Sequence, residues 1–204
     1  GGAHQSVIPD RLEAGTYMAA AALTGGDVTL EDVRLEHLGA ALETMEKIGV
    51  KIDEIDEQTI RITRPGPIQP VRVTTLTYPG YPTDLQAQLV SLLCLGEGTS
   101  LVTEKIYPDR FMHLAELKRM GAEVMKEGAS AVINGVKRLR GADVMASDLR
   151  AGAALVIAGL VAQGTTRVHR LYHIDRGYEC MEAKLNSLGA KIHRVKDAAA
   201  IRAA

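Results

Sequence analysis

Aromatic side chains are scarce in this 204-residue chain, which has no Trp, a single Phe (Phe111) and 3% aromatic residues overall. Ring stacking cannot organise its core. The 46% of residues that are hydrophobic must fill it mainly with Ala, Val, Ile, Leu and Met. Cysteine is nearly missing too: Cys94 and Cys180 are too few for a disulfide framework and lack metal-ligand spacing. Nor is there an excess of either charge. Lys and Arg number 24 against 25 Asp and Glu, for a net charge of −1. A nucleic-acid partner calls for a basic excess or stripe, so none is expected. The longest nearly apolar run, residues 151–162, falls short of the ~20 residues that span a membrane. No charged segment followed by an apolar one opens the chain. The expectation is a soluble, cytoplasmic protein with no membrane association.

What is present is repetition, with a period of about 65 residues. Three segments align: DRLEAGTYMAAAALTGGDVTL from Asp10, TDLQAQLVSLLCLGEGTSLV from Thr83, and SDLRAGAALVIAGLVAQGTTRV from Ser147. Each opens near an Asp (Asp10, Asp84, Asp148), runs through mostly apolar residues and stops at a Gly (Gly25, Gly98, Gly164). Each then alternates like a strand and enters a second helical pattern that ends at Gly49, Gly121 or Gly189. Asp is a good helix N-cap because its carboxylate accepts the unpaired amides of the first turn. Gly past a helix end adopts the left-handed conformation without strain.

The first helices are apolar nearly all round and must be buried on all sides, whereas HLGAALETMEKI, FMHLAELKRM and YECMEAKLNSL are amphipathic. Runs such as TTRVHRLY (165–172) read as half-buried strands. Each unit therefore reads β-α-β-α-β, with a further strand in the first two (QTIRIT, SAVINGV). Three fully apolar helices cannot each face water, so the expected α/β architecture has helices inside and sheets outside. It is one domain, 1–204, with repeats at about 7–65, 70–136 and 137–197 and a tail at 198–204. The third unit is short, and its last strand is missing or supplied from elsewhere. The open sheet edge should be covered by the tail, by a second copy of the chain through dimerisation or strand exchange, or by a strand of another polypeptide segment.

Charged residues gather at the unit junctions: Asp10 with Arg11, Asp84 after a Gly/Pro-rich turn, Asp148 with Arg150, and Arg110 and Arg176 at the openings of the second helices. Taken singly, each Asp reads as a cap and each Arg as a surface ion-pair partner. Taken as corresponding points of symmetric units, they lie on one rim. There they would suit a substrate bearing phosphate and carboxylate, which Arg binds bidentately, while an Asp accepts a proton from an alcohol. Cys94 sits in an apolar run and Cys180 on an amphipathic helix, and both read as structural. His113, His169 and His173 have no metal-ligand spacing, and the glycines match neither a dinucleotide fingerprint nor a phosphate loop. Neither a metal nor a cofactor is expected.

At these junctions the strings VIPDRLEAGTYMAAAA, YPTDLQAQ, YPDRFMHLAELKRMGA, DLRAGAALVIAGL and YHIDRGYECMEAKLNSLGA resemble, in order and over nearly the whole chain, the UDP-N-acetylglucosamine 1-carboxyvinyltransferase family of enolpyruvyl transferases. The resemblance implies an inside-out α/β barrel domain of three repeats. It also implies transfer of the enolpyruvyl group of phosphoenolpyruvate to the 3′-hydroxyl of UDP-N-acetylglucosamine, the first committed step of peptidoglycan synthesis. On it, Asp84 corresponds to the carboxylate that deprotonates the sugar hydroxyl, and Ile106 to a main-chain contact with the nucleotide sugar. Arg176 corresponds to the phosphoenolpyruvate-binding arginine, Asp148 and Arg150 to a supporting pair, and Arg110 to a charged residue of the cleft wall. The family has two such domains with the site between them. Its reactive loop cysteine, its N-terminal lysine–asparagine pair and most nucleotide contacts belong to the other one, and its extreme N-terminus completes this one. This chain alone is therefore expected to be inactive. The alternatives are a non-catalytic binding module on the same fold and a shikimate-pathway enolpyruvyl transferase.

Overall fold

The computed structural model describes residues 2–195. The tail at 198–204 lies outside them, as does the end of the third repeat. The chain is a mixed helix/strand fold. In order it runs through α1 (Arg11–Thr24), β1 (Asp27–Leu30), α2 (Gly39–Lys47), β2 (Lys51–Asp56), β3 (Thr59–Thr63), β4 (Arg72–Thr75), α3 (Gln86–Leu93), β5 (Thr99–Glu104), α4 (His113–Arg119), β6 (Glu123–Glu127), β7 (Ser130–Asn134), β8 (Asp143–Met145), α5 (Leu149–Gly159), β9 (Arg167–His169) and α6 (Met181–Ser187).

The three apolar helices pack against one another as expected. Every residue of α1 from Gly15 to Leu23 is buried, as are all of α3 and α5 from Ala151 to Ala158. Each of the three touches the other two. By contrast α2, α4 and α6 bury one face only, through Ala41 and Met45, Leu114 and Leu117, and Met181 and Leu185. Strands present alternate residues inward: Ile60 and Ile62 of β3, and Ala131 and Ile133 of β7, are fully buried.

The sheets remain separate, and no closed barrel forms among the described residues. One has the order β1-β3-β2, all antiparallel. The second is β4-β5-β7-β6, with β4 parallel to β5. The third is only β8 beside β9, parallel. In the first two sheets the last strand of the unit sits in the middle: β3 lies between β1 and β2, and β7 between β5 and β6. The third unit has no such strand among the described residues. Two departures from the expected pattern fall in this unit. TTRVHRLY forms a ladder only at Arg167–His169, and Arg170 turns away with φ 62°. The AKIH segment forms no strand among the described residues. It is held instead by Asn186, whose amide side chain bonds both the N–H and the C=O of Ile192 (3.1 and 2.7 Å). The first unit likewise opens directly on α1, without the strand expected before it.

No described helix is long and apolar enough to cross a membrane. Since the fold rests on the helix triplet, Leu155→Ala in α5, at 0% exposure, should cost about 2–5 kcal/mol of stability. Met125→Ala on the exposed side of β6 should cost under ~0.5 kcal/mol. Urea midpoints of the two variants check this.

Candidate functional site

The three equivalent aspartates do different work. Asp10 caps α1, accepting from the amides of Leu12 and Glu13 (2.8 and 3.3 Å). Asp148 caps α5, accepting from Arg150 and Ala151 (2.8 and 2.9 Å). Asp84 caps nothing, contrary to expectation. It lies inside a 3-10 turn, Thr83–Leu85, and α3 begins one residue beyond that turn. Its carboxylate is left for other partners. Arg110 Nη1 lies 2.7 Å from Asp84 Oδ1, and Arg150 Nε is 3.5 Å from the same oxygen. Arg110 also donates to Thr83 Oγ1 at 3.2 Å.

The helix triplet produces this convergence. Gly15, in the second turn of α1, leaves room for Leu85: a Cβ there would lie 2.5 Å from the Leu85 side chain. The Thr16 hydroxyl of α1 meets the Tyr178 hydroxyl at 2.7 Å and accepts from Gln88 of α3 at 3.0 Å. The N-terminal ends of α1, α3 and α5 thus come together, and their partial positive charge favours anions there. Asp84, Arg110 and Arg150 are half-buried at this rim, and Asp148 is half-buried two residues before Arg150.

Arg176 sits in the irregular stretch between β9 and α6 and is exposed. That stretch lies against the start of α5, since a Cβ on Gly177 would meet Leu149 at 2.8 Å and one on Gly152 would meet Ile174 at 2.6 Å. It is braced by Arg194, which grips Asp175 with two nitrogens (2.8 and 2.9 Å) and also reaches Glu182 (3.0 Å). These bonds hold the carboxyls of Asp175 and Glu182 below the usual range. Ile106 lies in the loop after β5. Its N–H is already engaged, donating to Glu104 Oε1 at 2.8 Å, so its carbonyl is the main-chain group left to a ligand. Two hollows of about 40 and 340 Å³ lie beside α2; Arg11 lines the smaller, and none of Asp84, Arg110, Asp148, Arg150 and Arg176 lines either.

Two residues of this region, Glu104 and His113, are not among the site candidates read from the sequence. Glu104, at the end of β5, is fully buried and accepts hydrogen bonds from both sides of the rim. The signal lay in the alternation TSLVTE, whose inward positions are Ser100, Val102 and Glu104. His113 was weighed only as a metal ligand. It is buried at the start of α4, with Nε2 unpartnered among the described residues. Burial pushes its imidazole down to about 4, opposed by the Asp148 carboxylate and reinforced by the Arg110 guanidinium.

The family described as EPSP synthase (3-phosphoshikimate 1-carboxyvinyltransferase) matches residues 1–185. The chain belongs to this enolpyruvyl transferase family. Within it, the chain is similar to proteins named UDP-N-acetylglucosamine 1-carboxyvinyltransferase. That of Methylacidiphilum infernorum is 53% identical over 95% of this chain and 46% of its own length. That of an Anaeromyxobacter species is 54% identical over 93% of this chain and 45% of its own. Among solved structures, the enolpyruvyl transferase NikO from Streptomyces tendae superposes with a TM-score of 0.85 at 26% identity, over 93% of this chain and 45% of that one. An EPSP synthase from Acinetobacter baumannii matches in fold alone, with a TM-score of 0.63 at 18% identity. The chain spans about half the length of the curated relatives it matches, 46% in the first of them.

Two predictions follow the buried groups. The folded state keeps His113 neutral down to about pH 4, while the unfolded state takes up its proton near pH 6.5. Stability should therefore fall as pH drops from about 6.5 to 4, by on the order of 3 kcal/mol. His113→Leu should flatten that part of the curve, measured as urea midpoint against pH. Burial also pushes the Cys94 thiol up to about 12, whereas Cys180 is exposed. Iodoacetamide should label Cys180 in the native protein and Cys94 only after denaturation, as read by mass spectrometry.

Proposed function

We propose that this chain is one domain of a UDP-N-acetylglucosamine 1-carboxyvinyltransferase, a single inside-out α/β domain of three units that carries one wall of the active site. The names and identities of its relatives support that reaction over the shikimate-pathway one. The observation that carries the reading is Asp84, the one of three equivalent aspartates that is released from capping and paired with arginines from two other segments. A capping residue serves the helix, but a free carboxylate between guanidiniums, where helix N-termini meet, serves a ligand.

On this reading Asp84 takes the proton from the sugar 3′-hydroxyl as its oxygen bonds to C2 of phosphoenolpyruvate and the methylene carbon gains a proton. The tetrahedral adduct then loses that carbon's proton and phosphate together, which restores the double bond in the product. Arg176 binds phosphoenolpyruvate, whose carboxylate and phosphate suit a guanidinium fork. Arg150, beside the capping Asp148, and Arg110 balance charge around Asp84. Ile106 offers its carbonyl to the nucleotide sugar. Cys94 is buried and is no candidate for the protonation of the methylene carbon. The second domain supplies the rest and shuts out water. No metal or cofactor enters the scheme. The protein works in the cytoplasm, at the opening of peptidoglycan precursor synthesis.

The test mixes this chain with a separately produced N-terminal half, phosphoenolpyruvate and UDP-N-acetylglucosamine, and follows phosphate release. The chain alone should release none, because one open wall neither holds both substrates nor excludes water. The mixture should turn over. Asp84→Asn should lower kcat by about 10²–10⁴-fold with little change in KM. Arg176→Ala should raise the KM for phosphoenolpyruvate about 10-fold or more. A silent mixture would sink the assignment, and transfer to shikimate 3-phosphate instead would move it to the other branch of the family.

A further inference from the structure

Glu104 has no exposure at all, at the end of an inner strand, and among the described residues no Lys or Arg side chain pairs with it. A carboxyl group buried in this way is tolerated only if its oxygens are satisfied by hydrogen-bond partners. Here four donors converge. Oε1 accepts from the Thr75 hydroxyl of β4 and from the amides of Ile106 (2.8 Å) and Tyr107 (3.0 Å). Oε2 accepts from the Thr83 hydroxyl at 2.8 Å. Thr75 Oγ1 in turn accepts from the Lys105 amide at 3.0 Å. Thr83 Oγ1 accepts from Arg110, the same guanidinium that holds Asp84 at 2.7 Å.

We propose that Glu104 is a positioning residue for the Asp84 site. Its buried carboxylate locks the 105–110 loop to the Thr83–Leu85 turn, so that the Ile106 carbonyl, the Arg110 guanidinium and the Asp84 carboxylate keep one mutual geometry. The proposal builds on the function proposed above for that site. The donor pattern makes an acid essential here. Four groups donate into the position, and only a carboxylate offers acceptors on both of its heads. In Glu104→Gln the carbonyl oxygen can keep the three bonds of Oε1. The amide nitrogen then faces Thr83, whose oxygen would receive two donors and whose own proton would lose its acceptor. The fold is retained, while the two donors compete for the Thr83 oxygen, its hydroxyl proton is left without an acceptor, and the link through Thr83 to Arg110 and Asp84 is weakened.

Two measurements decide it. The first needs no activity: arginine side-chain ¹⁵N NMR of the 204-residue chain, with Arg110 assigned through Arg110→Lys. A guanidinium pinned by Asp84 and Thr83 rotates slowly about its Cζ–N bonds. In Glu104→Gln and in Thr83→Val that rotation should become fast, while the amides of Ile106 and Tyr107 stay protected from exchange in Thr83→Val. Glu104→Asp should restore part of the slow rotation. An Arg110 signal unchanged in Glu104→Gln would overturn the proposal.

The second measurement is a double-mutant cycle in the two-half enzyme. Glu104→Gln should lower kcat/KM for the nucleotide sugar about 10-fold, but should cost almost nothing further in an Asp84→Asn background, because the two residues act as a unit. An equal loss in both backgrounds would mean that Glu104 acts independently of Asp84 and would also overturn the proposal. If the wild-type mixture shows no transfer, the enzymatic assignment fails, and the NMR measurement still decides the role of Glu104.

Discussion

The mutual burial of α1, α3 and α5 sets the position of everything around Asp84. An apolar helix stripe must be covered, and these helices are apolar on every side, so each can be covered only by the other two and by the inner faces of sheets. Once they are bundled, their starts converge. Gly15 then meets Leu85, Thr16 meets Gln88 and Tyr178, and Arg150 meets Asp84. The polar trio of Thr16, Gln88 and Tyr178 lies within this apolar bundle and satisfies most of its own hydrogen-bonding groups. Such a network favours one alignment of the helices over sliding alternatives.

Charge at the rim follows from small local differences within a repeated pattern. Asp10 and Asp148 lie one residue before helices that start cleanly, and their carboxylates are consumed by first-turn amides. A 3-10 turn before α3 displaces Asp84 from that role, and the turn is itself tied down by Thr83 to Glu104. The same repeated position therefore yields two structural caps and one free carboxylate. Because the Asp84–Arg110 pair is only half-buried, its Coulombic gain is modest, and its value lies more in geometry than in stability.

The third unit shows what a sheet loses without its middle strand. Among the described residues β9 has a neighbour on one side only, and residues 190–195 form no ladder and are fastened by Asn186 and Arg194. That fastening still matters for the site, because Arg194 holds Asp175, the residue before Arg176.

Much of this was legible before any coordinates. The apolar helices, the amphipathic ones and the paired glycine stops are local signals of period and backbone freedom, and they need no knowledge of distant neighbours; Gly25, Gly98 and Gly164 all adopt positive φ. The aspartates and arginines at the junctions could be gathered on one rim because repetition implies symmetry. The sequence by itself thus determined most of the element types, the buried helix triplet, the family resemblance and the candidates for the rim. Tertiary structure alone decided that Asp84 is no cap, that Glu104 ties the start of the 105–110 loop to Thr75 and Thr83, and that, among the described residues, the AKIH segment stays unpaired and the sheets do not close. Each of these depends on partners far along the chain. Glu104 answers to Thr75 and Thr83, and a strand exists only where another strand is present to receive its hydrogen bonds.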